Sequence, residues 1–221
     1  MVKNNSLNWQ PVQYNILCGA ANGGISNIPP SSISGEVLTS NGASSNPSFK
    51  PFASGSWVLL QTQNASASAN ITFTSTYITS TYSTYVLLYT GVTTTHILGQ
   101  TTLILSTNNG SSYLSTGYIS SCNYLINTTA GLNNNNSTSS ILVSSSQLFT
   151  NHNGYIIMNN LNTTSNPQFN GESINQINNA TQYFNIISGC NTTTTPVNNI
   201  QISNSGSVFA LGTFTLYGLV Q

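Results

Sequence analysis

Apart from eleven tyrosine phenols, nine side chains make up the acid–base, thiol and metal-ligating repertoire of this 221-residue chain: Glu36, Glu172, Lys3, Lys50, His96, His152, Cys18, Cys122 and Cys190. There is no Asp and no Arg. Two carboxyl groups facing each other across a sugar bond would make a glycosidase. The only pair is Glu36, in a Pro- and Gly-rich stretch, and Glu172, in a polar stretch that reads as a loop; they could meet only across subunits, and both read as solvated surface residues. A serine nucleophile needs a histidine held by an acid, and no Ser stands in a Gly-x-Ser-x-Gly frame, Ser54-Gly55-Ser56 included. His96, after three threonines, is expected in a loop. His152, within Asn151-His152-Asn153-Gly154, is expected in a turn, and both histidines at the surface. Three cysteines, odd in number and far apart, suit neither a disulfide framework nor zinc. They read as packed thiols of a protein made in a reducing compartment. The expectation is no catalytic residue, no metal and no cofactor, and, without clustered cations, no nucleic-acid partner.

Recognition would then fall to uncharged groups. Tyr77, Tyr82, Tyr85 and Tyr89 punctuate STYITSTYSTYVLLYT. Tyr85 and Tyr89 read as core residues of a strand. Tyr77 and Tyr82 precede it, where exposed rings beside Asn and Thr would stack on sugars of a host surface polysaccharide, or serve solubility or subunit contact. Ten Asn-x-Ser/Thr matches occur, as expected by chance in a chain this rich in those residues. The N-terminus lacks an apolar leader and no apolar run reaches membrane-spanning length, so secretion by the usual signal and membrane insertion are not expected.

The elements that would carry such a surface read as β throughout. Charged residues are 2% of the chain, yet hydrophobic residues are 38% and aromatics 10%, enough for a core. Residues 1–54 hold five of the seven prolines and read as an extended arm for attachment or oligomerisation. Residues 55–221 read as a head of short strands: Ser56–Gln63, Ala67–Phe73, Tyr85–Thr90, Gln100–Ser106, Tyr113–Tyr118, Ser140–Val143, Tyr155–Met158, Gln182–Ile187, Ile200–Ser203 and Ser207–Leu219. Asn109-Gly110 predicts a hairpin joining Gln100–Ser106 to Tyr113–Tyr118. Asn127–Ser139 and Asn191–Asn199 read as surface loops. The fold expected is an all-β sandwich of jelly-roll type, with a C1q/TNF-like form possible.

Two sets of phrases resemble bacteriophage tail-fibre and minor virion structural proteins. GGISNIPPSSISGEVLTSNGASSNPSF, within Cys18–Phe49, is similar to their linker. GSWVLLQT from Gly55, the stretch Ala65–Phe73, STNNGSSY from Ser106 and GTFTLYGL from Gly212 resemble their terminal domain. The resemblance implies a virion protein assembled in the host cytoplasm. An arm would attach to other virion structural proteins, and a head, often a homotrimer, would face the host. The function expected is a non-enzymatic tail or capsid fibre or decoration subunit. The alternative is an extracellular filament subunit or surface adhesin assembled by strand exchange.

Overall fold

A computed structural model describes residues 16–19, 25–33, 35–43, 45–51, 57–95, 99–126, 129–144, 151–178 and 181–219. The chain divides into two compact units, Met1–Ala53 and Ser54–Gln221. In the first, β1 (Ile16–Gly19) pairs with β2 (Ile25–Ile28) and β3 (Val37–Thr39) with β4 (Ser48–Lys50), both antiparallel. These strands are too short to bury much, and side-chain bonds close them. Asn41 Nδ2 donates to the Asn46 carbonyl at 2.7 Å and to Ser48 Oγ at 3.0 Å.

The second unit is an all-β sandwich, and its described residues contain no helix. Its strands are β5 (Trp57–Ser68), β6 (Asn70–Phe73), β7 (Thr84–Thr94), β8 (Thr101–Ser106), β9 (Tyr118–Ile126), β10 (Thr129–Ser137), β11 (Ile141–Leu142), β12 (Asn151–Asn159), β13 (Gln168–Asn178), β14 (Thr181–Asn191), β15 (Asn199–Asn204) and β16 (Phe209–Leu219). Eight of them give two four-strand orders, β5-β16-β7-β12 and β6-β15-β8-β11. Counted along the chain these are first-eighth-third-sixth and second-seventh-fourth-fifth, the interleaving of a jelly roll. The remaining four enter as two hairpins, β9–β10 and β13–β14. They widen one sheet to eight strands in the order β10-β9-β14-β13-β12-β7-β16-β5, while the other keeps four.

The core lies between the sheets because alternate residues of each strand turn inward. Register aligns Leu216, Leu87, Ile156, Gly171, Ile187 and Cys122 across six strands of the wide sheet. Facing them, the narrow sheet contributes Ile71, Phe73, Leu103, Leu105, Ile141, Ile200 and Ile202. Two buried tyrosines add hydrogen bonds to this core, Tyr118 joining β9 to β8 and Tyr85 holding the loop before β7. The Tyr118 hydroxyl accepts the Leu105 N–H at 2.9 Å, and the Tyr85 hydroxyl accepts the Thr79 N–H at 2.8 Å.

Several sequence expectations are corrected. Both residues of Asn109-Gly110 take the positive φ of a tight turn, but the chain does not close a hairpin there. Ser106 Oγ accepts the Gly110 N–H and Asn198 Oδ1 the Asn109 N–H. After one further bond, Leu114 N–H to the Leu105 carbonyl, the chain crosses to start β9 in the other sheet. The stretch read as a loop at Asn127–Ser139 contains β10, whose Asn133–Ser137 backbone pairs with β9. Glu172 lies on β13 rather than in a loop, and His152 lies on β12 rather than in a turn.

Candidate functional site

The outer face of the wide sheet carries the most distinctive surface. Its register places outward residues in four rows. One runs Leu125, Phe184, Ile174, Asn153. The next runs Asn123, Ile186, Glu172, Tyr155, Leu88, Thr215, Thr62. The third runs Ser121, Ser188, Asn170, Ile157, Val86, Tyr217, Leu59. The last runs Ile119, Cys190, Gln168, Asn159, Thr84, Leu219, Trp57.

Read across the rows, the apolar residues form a diagonal band. It starts at Leu125, Phe184, Ile174 and Ile186, passes Tyr155, Leu88, Ile157 and Val86, and ends at Tyr217, Leu59, Leu219 and Trp57. Much of it is open to solvent: Leu59 is 58% exposed, Trp57 55% and Ile174 49%. The band is ordered nonetheless. Trp57 meets Tyr217 edge-on with ring centroids 6.0 Å apart, and Val86 is closed over to 3% exposure. Glu172, the second unit's only acidic residue, borders a 310 Å³ depression in the band with Tyr155, Ile174 and Phe184.

Polar corners flank the band. On the β5–β16 side, Thr62 and Thr215 share a 3.3 Å hydroxyl contact and the Thr213 hydroxyl donates to Asn64 Oδ1 at 2.9 Å. These are cross-strand pairs spent on each other. The opposite corner, on the added strands, is a groove.

The acidic, thiol and imidazole side chains can be placed one by one. Glu36 accepts the Ser31 hydroxyl in the first unit, and Glu172 sits on the outer face of the second. Cys18 and Cys190 are half-buried and Cys122 is buried; all three are free thiols. His96 lies outside the described residues. His152 is buried against the edge of Tyr89, ring centroids 4.8 Å apart. On the same inner face Asn185 Nδ2 donates to Ser173 Oγ at 3.0 Å and to Asn175 Oδ1, and the Cys122 thiol reaches Asn185 Oδ1 at 3.7 Å.

A thiol, an imidazole and amides within one interior invite comparison with a cysteine nucleophile. Burial sets them against it. It pushes the Cys122 thiol up to about 12 and lowers His152 to about 3, so near neutral pH both are uncharged, and both are buried. Among the described residues no three His, Cys, Asp or Glu side chains gather as metal ligands.

Tyr77 and Tyr82 lie between β6 and β7, each half-buried and packed against the core. Tyr82 stands edge-on to Tyr85 at 5.8 Å, and its ring lies over Gly218, where a Cβ would come within 2.5 Å of it. Protein-family models, curated proteins and solved structures were all compared with the chain, and none matches.

Sequence reading missed the band because it exists only once seven strands are in register. One signal pointed to it. Tyr85–Tyr89 is apolar at both parities, so both faces of β7 must be covered. The core accounts for Tyr85, Leu87 and Tyr89, leaving Val86 and Leu88 to the outer face.

Proposed function

We propose that this chain is a non-enzymatic structural subunit whose head self-associates, as a homotrimer, through the apolar band of the wide sheet. The band is the observation that carries the reading. Contiguous exposed apolar surface on a soluble domain marks an interaction site. A second copy of this chain is the occupant that fits, because the second unit holds no Lys or Arg and only one carboxylate. It has almost nothing to attract a charged partner and almost nothing to repel itself.

Its place is a small tail or capsid fibre or decoration subunit, with the first unit attaching to other virion proteins. Support for that comes from the linker and terminal-domain phrases together with the jelly-roll order. A filament assembled by strand addition draws on a different observation. β5 is a twelve-residue edge strand with neither charge nor proline, the usual guards of an edge.

Light scattering on the full chain separates these readings. A trimer that Leu59→Asn with Tyr217→Asn converts to monomer is the expected result. A stable wild-type monomer would remove the proposal, and open-ended growth would favour the strand-addition filament.

A further inference from the structure

The groove at the second polar corner has a cavity volume of 620 Å³, within the roughly 300–1,000 Å³ of small-molecule sites. It lies where the added strands β9, β14 and β13 meet the end of β10. Four amide side chains line it: Asn136, Asn159, Gln168 and Asn170. Several other amides of the head are spent on the fold. Asn162 donates to the Ile78 and Val197 carbonyls, Asn166 to Asn191, Asn191 to Thr116 and Asn198 to Thr107. In the groove, Asn136, Gln168 and Asn170 make no side-chain hydrogen bond to the described residues. Asn159 uses only its oxygen, on the Thr84 hydroxyl at 2.9 Å.

Each free amide offers two donors and an acceptor. A sugar hydroxyl both donates and accepts, so one amide can engage two hydroxyls of a ring at once. Ser188 adds a further hydroxyl. Ile119, 65% exposed, gives an apolar patch for the C–H face of a ring. The lining holds no carboxylate, cation or histidine, and its only ionisable side chains are the buried Tyr118 and the thiol of Cys190.

We propose that this groove binds a short segment of a neutral polysaccharide. Every lining residue belongs to a single copy, so the site does not rest on self-association. It is also distinct from Tyr77 and Tyr82, whose rings pack against the core.

The full-length protein is tested on an array of neutral oligosaccharides (glucans, galactans, mannans and N-acetylhexosamine oligomers) beside polyuronic, sialylated and sulfated ones. Binding to one or more neutral probes and none of the anionic ones is expected. Gln168→Ala with Asn170→Ala should weaken it at least tenfold, and Thr62→Ala with Asn64→Ala, at the opposite corner, should leave it unchanged. All four positions face outward, so melting temperature should hold. Should the groove variant melt early, Ser188→Trp fills the groove from another outward position and must give the same loss. A bound neutral probe should also slow alkylation of Cys190. No neutral binding, preference for anionic probes, or undiminished binding by the groove variants would overturn the site.

Discussion

Acid should destabilise this protein through a buried histidine. His152 is 1% exposed, and burial lowers its pKa from 6.5 to about 3. The folded state keeps the imidazole neutral, whereas an unfolded chain takes up a proton below pH 6.5. The stabilisation is therefore complete above pH 6.5 and is lost as pH falls toward 3, at about 1.4 kcal/mol per pH unit. That amounts to about 2 kcal/mol at pH 5 and roughly 5 kcal/mol over the whole window. In most proteins a crowd of carboxylates would blur such a slope, but Glu36 and Glu172 are the only acidic side chains here. The neighbouring Cys122 and Tyr89 are pushed upward by burial and take no part. Thermal melts from pH 7.5 to 4.5, at fixed protein and salt concentration, should show the melting temperature falling by about 4–8 °C at pH 5. His152→Leu should flatten the curve. Equal wild-type stability at pH 7.5 and 4.5, or an unaltered slope in His152→Leu, would refute the reasoning.

Tyr118→Phe leaves the buried Leu105 N–H without its acceptor and should cost about 1–3 kcal/mol in urea unfolding. Gly171→Ala places a Cβ 2.1 Å from the Tyr155 carbonyl oxygen on the neighbouring strand; forcing β12 and β13 apart should cost about 3 kcal/mol or more, read as a lower denaturation midpoint. Tyr82→Ala uncovers Gly218 and the edge of Tyr85. It should lower stability by about 2 kcal/mol, so a loss of host attachment in that variant must be compared with its melting temperature.

The strands legible in the sequence are those with a strong apolar signal, such as β7, β8, β15 and β16. β13 was missed because its inward positions Phe169, Gly171, Ser173 and Asn175 do not alternate apolar with polar. Gly171 leaves room for the neighbouring backbone, and Ser173 and Asn175 serve the buried hydrogen-bond cluster around Asn185. β10 was missed because an Asn run has low intrinsic β-propensity, and pairing with β9 overrides it. Asn153-Gly154 looked like a turn; the glycine is needed because a Cβ there would come 2.5 Å from the Glu172 carbonyl oxygen and 2.6 Å from the Tyr89 hydroxyl. The band and the groove were not legible, since each combines residues from distant segments that only the sheet register brings side by side.

The two hairpins β9–β10 and β13–β14 leave the jelly-roll order of the other eight strands untouched. Each departs from and returns to a loop between framework strands, so either can lengthen, shorten or be exchanged without rethreading the sandwich. The groove is built almost wholly on them, while the Trp57 end of the band is built on β5 and β16. Descendants of one ancestor could thus change what the groove holds, and with it one end of the band, while keeping the Trp57 end, and sequence divergence among relatives should concentrate in the two hairpins.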